Sequence, residues 1–160
     1  MGGRAMSSQV RYQFAEMYVA GAMTDAGWKI YLPYRDEGFD FIAMLGSGDE
    51  TLIRPVQVKG LYPSEQKLKK GHYGFRQKLS ALNPQMILAL AFFPTDFSPF
   101  PQHIAWMPRA EIKTMSRGWH RCEPASFSAD GPAPRRHFLP YFDGDGLSNA
   151  ASPTFSVGLR

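Results

Sequence analysis

The chain has 160 residues, a net charge of +4 and a sequence pI near 9.3, which fits one domain and permits a polyanionic partner without requiring one. Its single cysteine, Cys122, excludes an intrachain disulfide, and there is no Cys/His spacing suited to a structural metal. No apolar run is long enough to cross a bilayer and no N-terminal stretch has the pattern of a signal peptide, so a cytoplasmic, intracellular protein without a membrane partner is expected.

Residues 1–7 read as a flexible leader, 8–142 as the domain with its core over 8–115, and 143–160 as a flexible tail. A helix is predicted over 8–26, capped by Ser7 or Ser8, with Val10, Phe14, Met17, Tyr18 and Gly21 as its apolar stripe and Gly27 as its stop. Strands are predicted over 28–34, 39–45 and 52–58, the last two joined by the turn residues Gly46, Ser47, Gly48 and Asp49. Pro55 lacks an N–H and argues for an edge or a bulge in the third strand. A loop and then a helix over 74–82 carry the basic residues Lys67, Lys69, Lys70, Arg76 and Lys78. The apolar run 86–93 (MILALAFF) has the length of a buried strand, 103–107 is another strand, 108–115 a short helix opened by Pro108, and 137–142 a last strand. This order predicts an α/β fold: a sandwich around a mixed sheet, with hairpin-linked strands antiparallel and a crossover helix leading to a parallel neighbour.

The chemistry concentrates in residues 38–60, GFDFIAMLGSGDETLIRPVQVKG. Asp40 lies at the start of one strand, and Gln57 and Lys59 near the end of the next, on one face because strand side chains alternate. A carboxylate, an amide oxygen, the Val58 backbone carbonyl between them and a lysine can hold magnesium, a hard ion that takes oxygen ligands. An ion so held neutralises phosphate charge and lowers the pKa of a bound water, which suits phosphodiester hydrolysis. Asp36 and Glu37 are competing acids, but both sit in a loop beside Gly38. Glu16 is the carboxylate in the middle of the first helix, among Tyr12, Val19, Ala20 and Met23, where it needs a partner, a metal or Arg11.

These residues resemble the PD-(D/E)XK nuclease superfamily, whose signature is a strand aspartate followed by (D/E/Q)-x-K on the next strand; here it reads Asp40, then Gln57-Val58-Lys59. The resemblance extends over about residues 8–115 and implies a restriction-endonuclease-like three-layer α/β/α sandwich, similar also to Holliday-junction resolvases. It implies that Asp40, Gln57, Glu16 and the Val58 carbonyl hold Mg2+, with Mn2+ as a substitute, and that Asp40, Gln57, Lys59 and Glu16 make up the catalytic set. It implies cleavage of double-stranded or branched DNA by a metal-activated water, with Lys67, Lys69, Lys70, Arg76 and Lys78 on the DNA, Gln66 close by, and a homodimer contact through the loop 92–100. Phe39 stands where the family often has proline, and the neutral Gln57 keeps open an alternative, a catalytically inactive nucleic-acid-binding or interaction module on the same fold. Tyr73 and Phe75 are read as core contacts, and Trp106 and Trp119 as core or partner contacts.

Overall fold

The structure is a computed structural model that describes residues 8–35, 37–65 and 72–158. Helix α1 (Ser8–Asp25) ends as the sequence predicts. Gly27 takes φ +96°, and Trp28 N–H donates to Met23 O, a closure that a side chain at that φ would resist. The buried stripe of α1 is rotated from the predicted one: Arg11, Ala15, Val19 and Met23 face inward at a spacing of four, whereas Val10 and Met17 are exposed. Arg11 can occupy the stripe because its guanidinium lies 4.9 Å over the Tyr62 ring, which is itself stacked on Phe93.

Five strands form the main sheet in the order β1-β2-β3-β5-β6: β1 (Lys29–Tyr31), β2 (Phe41–Leu45), β3 (Leu52–Leu61), β5 (Ile87–Phe92) and β6 (His103–Pro108). β3 and β5 are parallel and the other pairs antiparallel, so the predicted mixed sheet is present. Pro55 lies in a central strand, contrary to its expected edge position. It is tolerated because β5 begins opposite Val56, so β3 has only β2 beside it at Pro55. β5 is buried along its whole length, as MILALAFF predicts.

The second sheet departs from the expected arrangement. Residues 74–82, read as a helix, overlap β4 (Tyr73–Lys78), which pairs with the long β8 (Trp119–Ser128); β7 (Lys113–Thr114) lies on the other side of β8, and β9 (Gly131–Pro134) pairs with the end of β8. In YGFRQK the first three residues, Tyr73 to Phe75, are buried and the last three, Arg76 to Lys78, are exposed, so the strand runs out of the core and burial alone shows neither a strand nor a helix period. The predicted helix 108–115 is a short turn, Arg109–Glu111, followed by β7, and the predicted strand 137–142 is a single 3-10 segment, Arg136–Tyr141, with Pro140 inside it.

The two faces of the main sheet are covered differently. Gly60 lies so close to α1 that a Cβ there would stand 3.0 Å from Ala15 Cβ, whereas Lys59, on the opposite face of β3, sends its Nζ to within 5.7 Å of the Phe75 ring centre on β4. Tyr73 meets Phe92 across the same gap at 5.1 Å. The layer opposite α1 is therefore a sheet among the described residues, where the three-layer α/β/α expectation had a helix.

The predicted flexible tail is also corrected. It holds α2 (Asp143–Ala150), and Leu147, Ala150 and Phe155 are in the core. Its Gly- and Ser-rich composition conceals two anchors. Asp143, at φ 54°, accepts bonds from Ile104 N–H at 2.9 Å, the His103 ring at 2.8 Å and, through its carbonyl, the Trp106 indole at 3.0 Å. The fully buried Arg54 donates to Ala150 O at 2.7 Å, Ser152 O at 2.8 Å and Gln85 at 3.2 Å, and lies 5.0 Å from the Phe155 ring centre.

Candidate metal centre

β2 and β3 part company at the candidate site. Their last register pair is Phe41 with Val56, while β3 continues through Gln57, Val58, Lys59, Gly60 and Leu61. Asp40 spans the opening: its N–H donates to Val56 O at 2.9 Å, and its Oδ2 accepts the Val58 N–H at 2.6 Å. A carboxylate thus replaces the carbonyl that β2 would have supplied, which a buried N–H requires. The C=O and N–H of one strand residue point to the same flank, so the Val58 carbonyl faces this opening.

Glu16 comes to the same place from α1, on the flank of the buried stripe beside Ala15. Its carboxyl is pushed up from the ordinary 4.5 to about 7, first by burial, then by the negative charge of Asp40 and a hydrogen bond to it, against the opposing pull of Lys59. Glu16, Asp40 and Lys59, forty-odd residues apart at the extremes, are therefore electrostatic neighbours, and two carboxyls share a confined space. Lys59 is half-buried, with its ammonium over the Phe75 ring.

Gln57 is buried, and its Oε1 has no hydrogen-bond partner among the described residues. An orphaned amide oxygen in such a place costs about 1–3 kcal/mol, so it calls for a ligand. The two carboxyls that meet here, with the Val58 carbonyl facing the same opening, are hard oxygen donors of the kind a magnesium-type ion takes; Gln57 lies on the adjacent residue of β3, and its amide is an oxygen of the same class. No group of three or more His, Cys, Asp or Glu that could hold a metal occurs among the described residues.

Of the residues expected on DNA, Arg76 and Lys78 are exposed on β4, on a strand rather than a helix, while Lys67, Lys69 and Lys70, with Gln66, lie outside the described residues. Asp36 lies outside them too, and Glu37 is exposed. Phe92 and Phe93, in the loop expected to form a dimer contact, are buried, while Phe97 and Phe100 are exposed. No described helix is long and apolar enough to cross a membrane. Sequence reasoning missed the Asp40–Val58 bond; its signal was an acid placed just before a strand that outruns its partner. No protein-family model, curated protein or solved structure matches the chain.

Proposed function

We propose that the chain is a metal-dependent endodeoxyribonuclease of the PD-(D/E)XK type, hydrolysing phosphodiester bonds in DNA, with Glu16, Asp40, Gln57 and Lys59 as its working residues. The observation that carries the reading is the convergence of Glu16 from α1, Asp40 from just before β2 and Lys59 from β3 at the opening where Asp40 holds the Val58 N–H. When bound, Mg2+ or Mn2+ supplies a Lewis acid and a water acidic enough to serve as nucleophile near neutral pH.

The chain's own residues account for the rest. Glu16 gives up its shared proton, so that both carboxylates can act as ligands. Asp40 is oriented by the backbone and cannot swing away without losing the Val58 bond. The Gln57 amide contributes an oxygen without adding a third repelling charge. Lys59 lies within electrostatic reach of the carboxyls and places its positive charge where negative charge grows on the phosphate.

The test is incubation of purified protein with supercoiled, linear and branched DNA in Mg2+ or Mn2+. Nicking or cleavage is expected, with a loss of at least about a hundredfold in Lys59→Ala, typical of removing one charge-stabilising group. Binding without cleavage of every substrate would instead favour the inactive module, for which the neutral Gln57 is the supporting feature.

A further inference from the structure

Three cations stand side by side on the second sheet. Arg76 of β4 is paired with Arg121 of β8, and Arg121 is paired on its other side with Lys113 of β7. Directly paired residues project from the same face, and strands lie about 4.8 Å apart, so the row extends about 10 Å across the sheet. The face points outward: Arg76 and Lys113 are exposed and the Arg121 side chain is 42% exposed, whereas Phe75, before Arg76, and Ile112 and Cys122, beside Lys113 and Arg121, are buried. Two residues along the strands, Lys78 is paired with Trp119 on that face.

Trp119 is 42% exposed, while Trp28 and Trp106 are 3% and 1% exposed. Its ring helps to line a shallow groove of about 580 Å3 with Arg76, Arg117, Met115 and Ser116. Lys113 and Arg121 open on their other side into a cavity of about 300 Å3 that also receives Arg135 and His137. Glu123 is the carboxylate beside the row, with its Oε1 3.4 Å from Arg121 Nε; Glu111 lies deeper in the cavity and accepts the Tyr141 hydroxyl. Like charges set directly opposite one another cost stability unless a counter-charge lies over them. Two carboxylates, one of them buried, stand against the five cations Arg76, Lys78, Lys113, Arg117 and Arg121 of this face and its groove, so the surface is net positive.

We propose that this outer face binds a single strand of nucleic acid, with phosphates along Arg76, Arg121 and Lys113 and an unpaired base stacked on Trp119. A cationic track beside an exposed aromatic ring suits a single strand, because a base inside a duplex has both faces covered. β4 turns Phe75 toward Lys59 and Arg76 toward solvent, so this surface lies across the second sheet from the candidate metal centre. It concerns binding and stands whether or not the chain cleaves.

The test uses the full-length protein in EDTA, so that cleavage cannot interfere, titrated with oligothymidylate of about 16 nucleotides and with a duplex of the same length at several salt concentrations. Trp119 is the exposed indole, so the single strand quenches tryptophan emission. Trp119→Leu abolishes the quench and weakens binding about tenfold, and Trp119→Phe restores the affinity. Replacing Arg76, Lys113 and Arg121 together with alanine reduces the salt slope by about 2, while Glu123→Gln tightens binding. Circular dichroism melting confirms that each variant is folded. Equal or tighter binding of the duplex, no quench, or a salt slope unchanged in the folded triple variant would overturn the proposal.

Discussion

Glu16 is the candidate-site residue whose titration the fold visibly alters. In the folded chain its carboxyl titrates at about 7 rather than 4.5, so between those values the folded state holds a proton that the unfolded state has released. The contribution of Glu16 to stability is therefore most favourable below 4.5 and is lost as the pH rises to about 7. Glu16 is partly solvated, so after allowance for screening the loss is on the order of 1 kcal/mol. In metal-free protein the melting temperature is expected to fall between pH 5 and 8, and Glu16→Gln should flatten that fall. Adding Mg2+ should then raise the melting temperature more at pH 8 than at pH 5.5, because the ion and the proton compete for the same oxygens. An equal shift at both pH values would remove Glu16 from the ligand set.

At the scale of elements, the α1–β3 contact sets the site. Gly60 permits the helix to approach, and a side chain there pushes against Ala15. Gly60→Val is expected to cost about 1–3 kcal/mol by overpacking, and, by lifting α1, to lower the Glu16 pKa toward its ordinary value. Chemical denaturation measures the first effect, and NMR titration of the Glu16 carboxyl the second. The elements around this contact were legible in the sequence. The helix stop at Gly27, the three strands and the buried β5 all follow from local pattern, and so does the nearness of Glu16, Asp40 and Lys59, from their placement on those elements. The second sheet was not legible in the same way. β4 is only six residues long and passes from three buried to three exposed residues without alternating, and β8 carries Pro124 and Cys122 among polar residues, so neither shows a clean apolar face. The inward stripe of α1 was misread because Arg11 is buried beneath an aromatic ring rather than in water, an outcome set by tertiary packing.

For the whole molecule, Arg54 joins the C-terminal segment to the centre of the main sheet. Its burial pulls its pKa down, and its bonds go to neutral oxygens of Ala150, Ser152 and Gln85. Arg54→Met would fill much of the space but leave those carbonyls dry, at a cost of about 3 kcal/mol. Urea unfolding should show a lower midpoint, and limited proteolysis should cut first within residues 143–158; unchanged protection of that segment would show that Leu147 and Phe155 hold it without the guanidinium.

The Arg54 bonds also bear on how the protein is made. Gln85 is 31 residues beyond the guanidinium but Ala150 is 96 beyond it, so during synthesis at about 5–20 residues per second the cation waits several seconds longer for its last acceptors than for its first. Until then, the sheet carries a charge that is only partly satisfied. The sheet can collapse early around β5, but the bonds over Arg54 are complete only when Ala150 and Ser152 arrive, which makes the C-terminal segment a late checkpoint on folding.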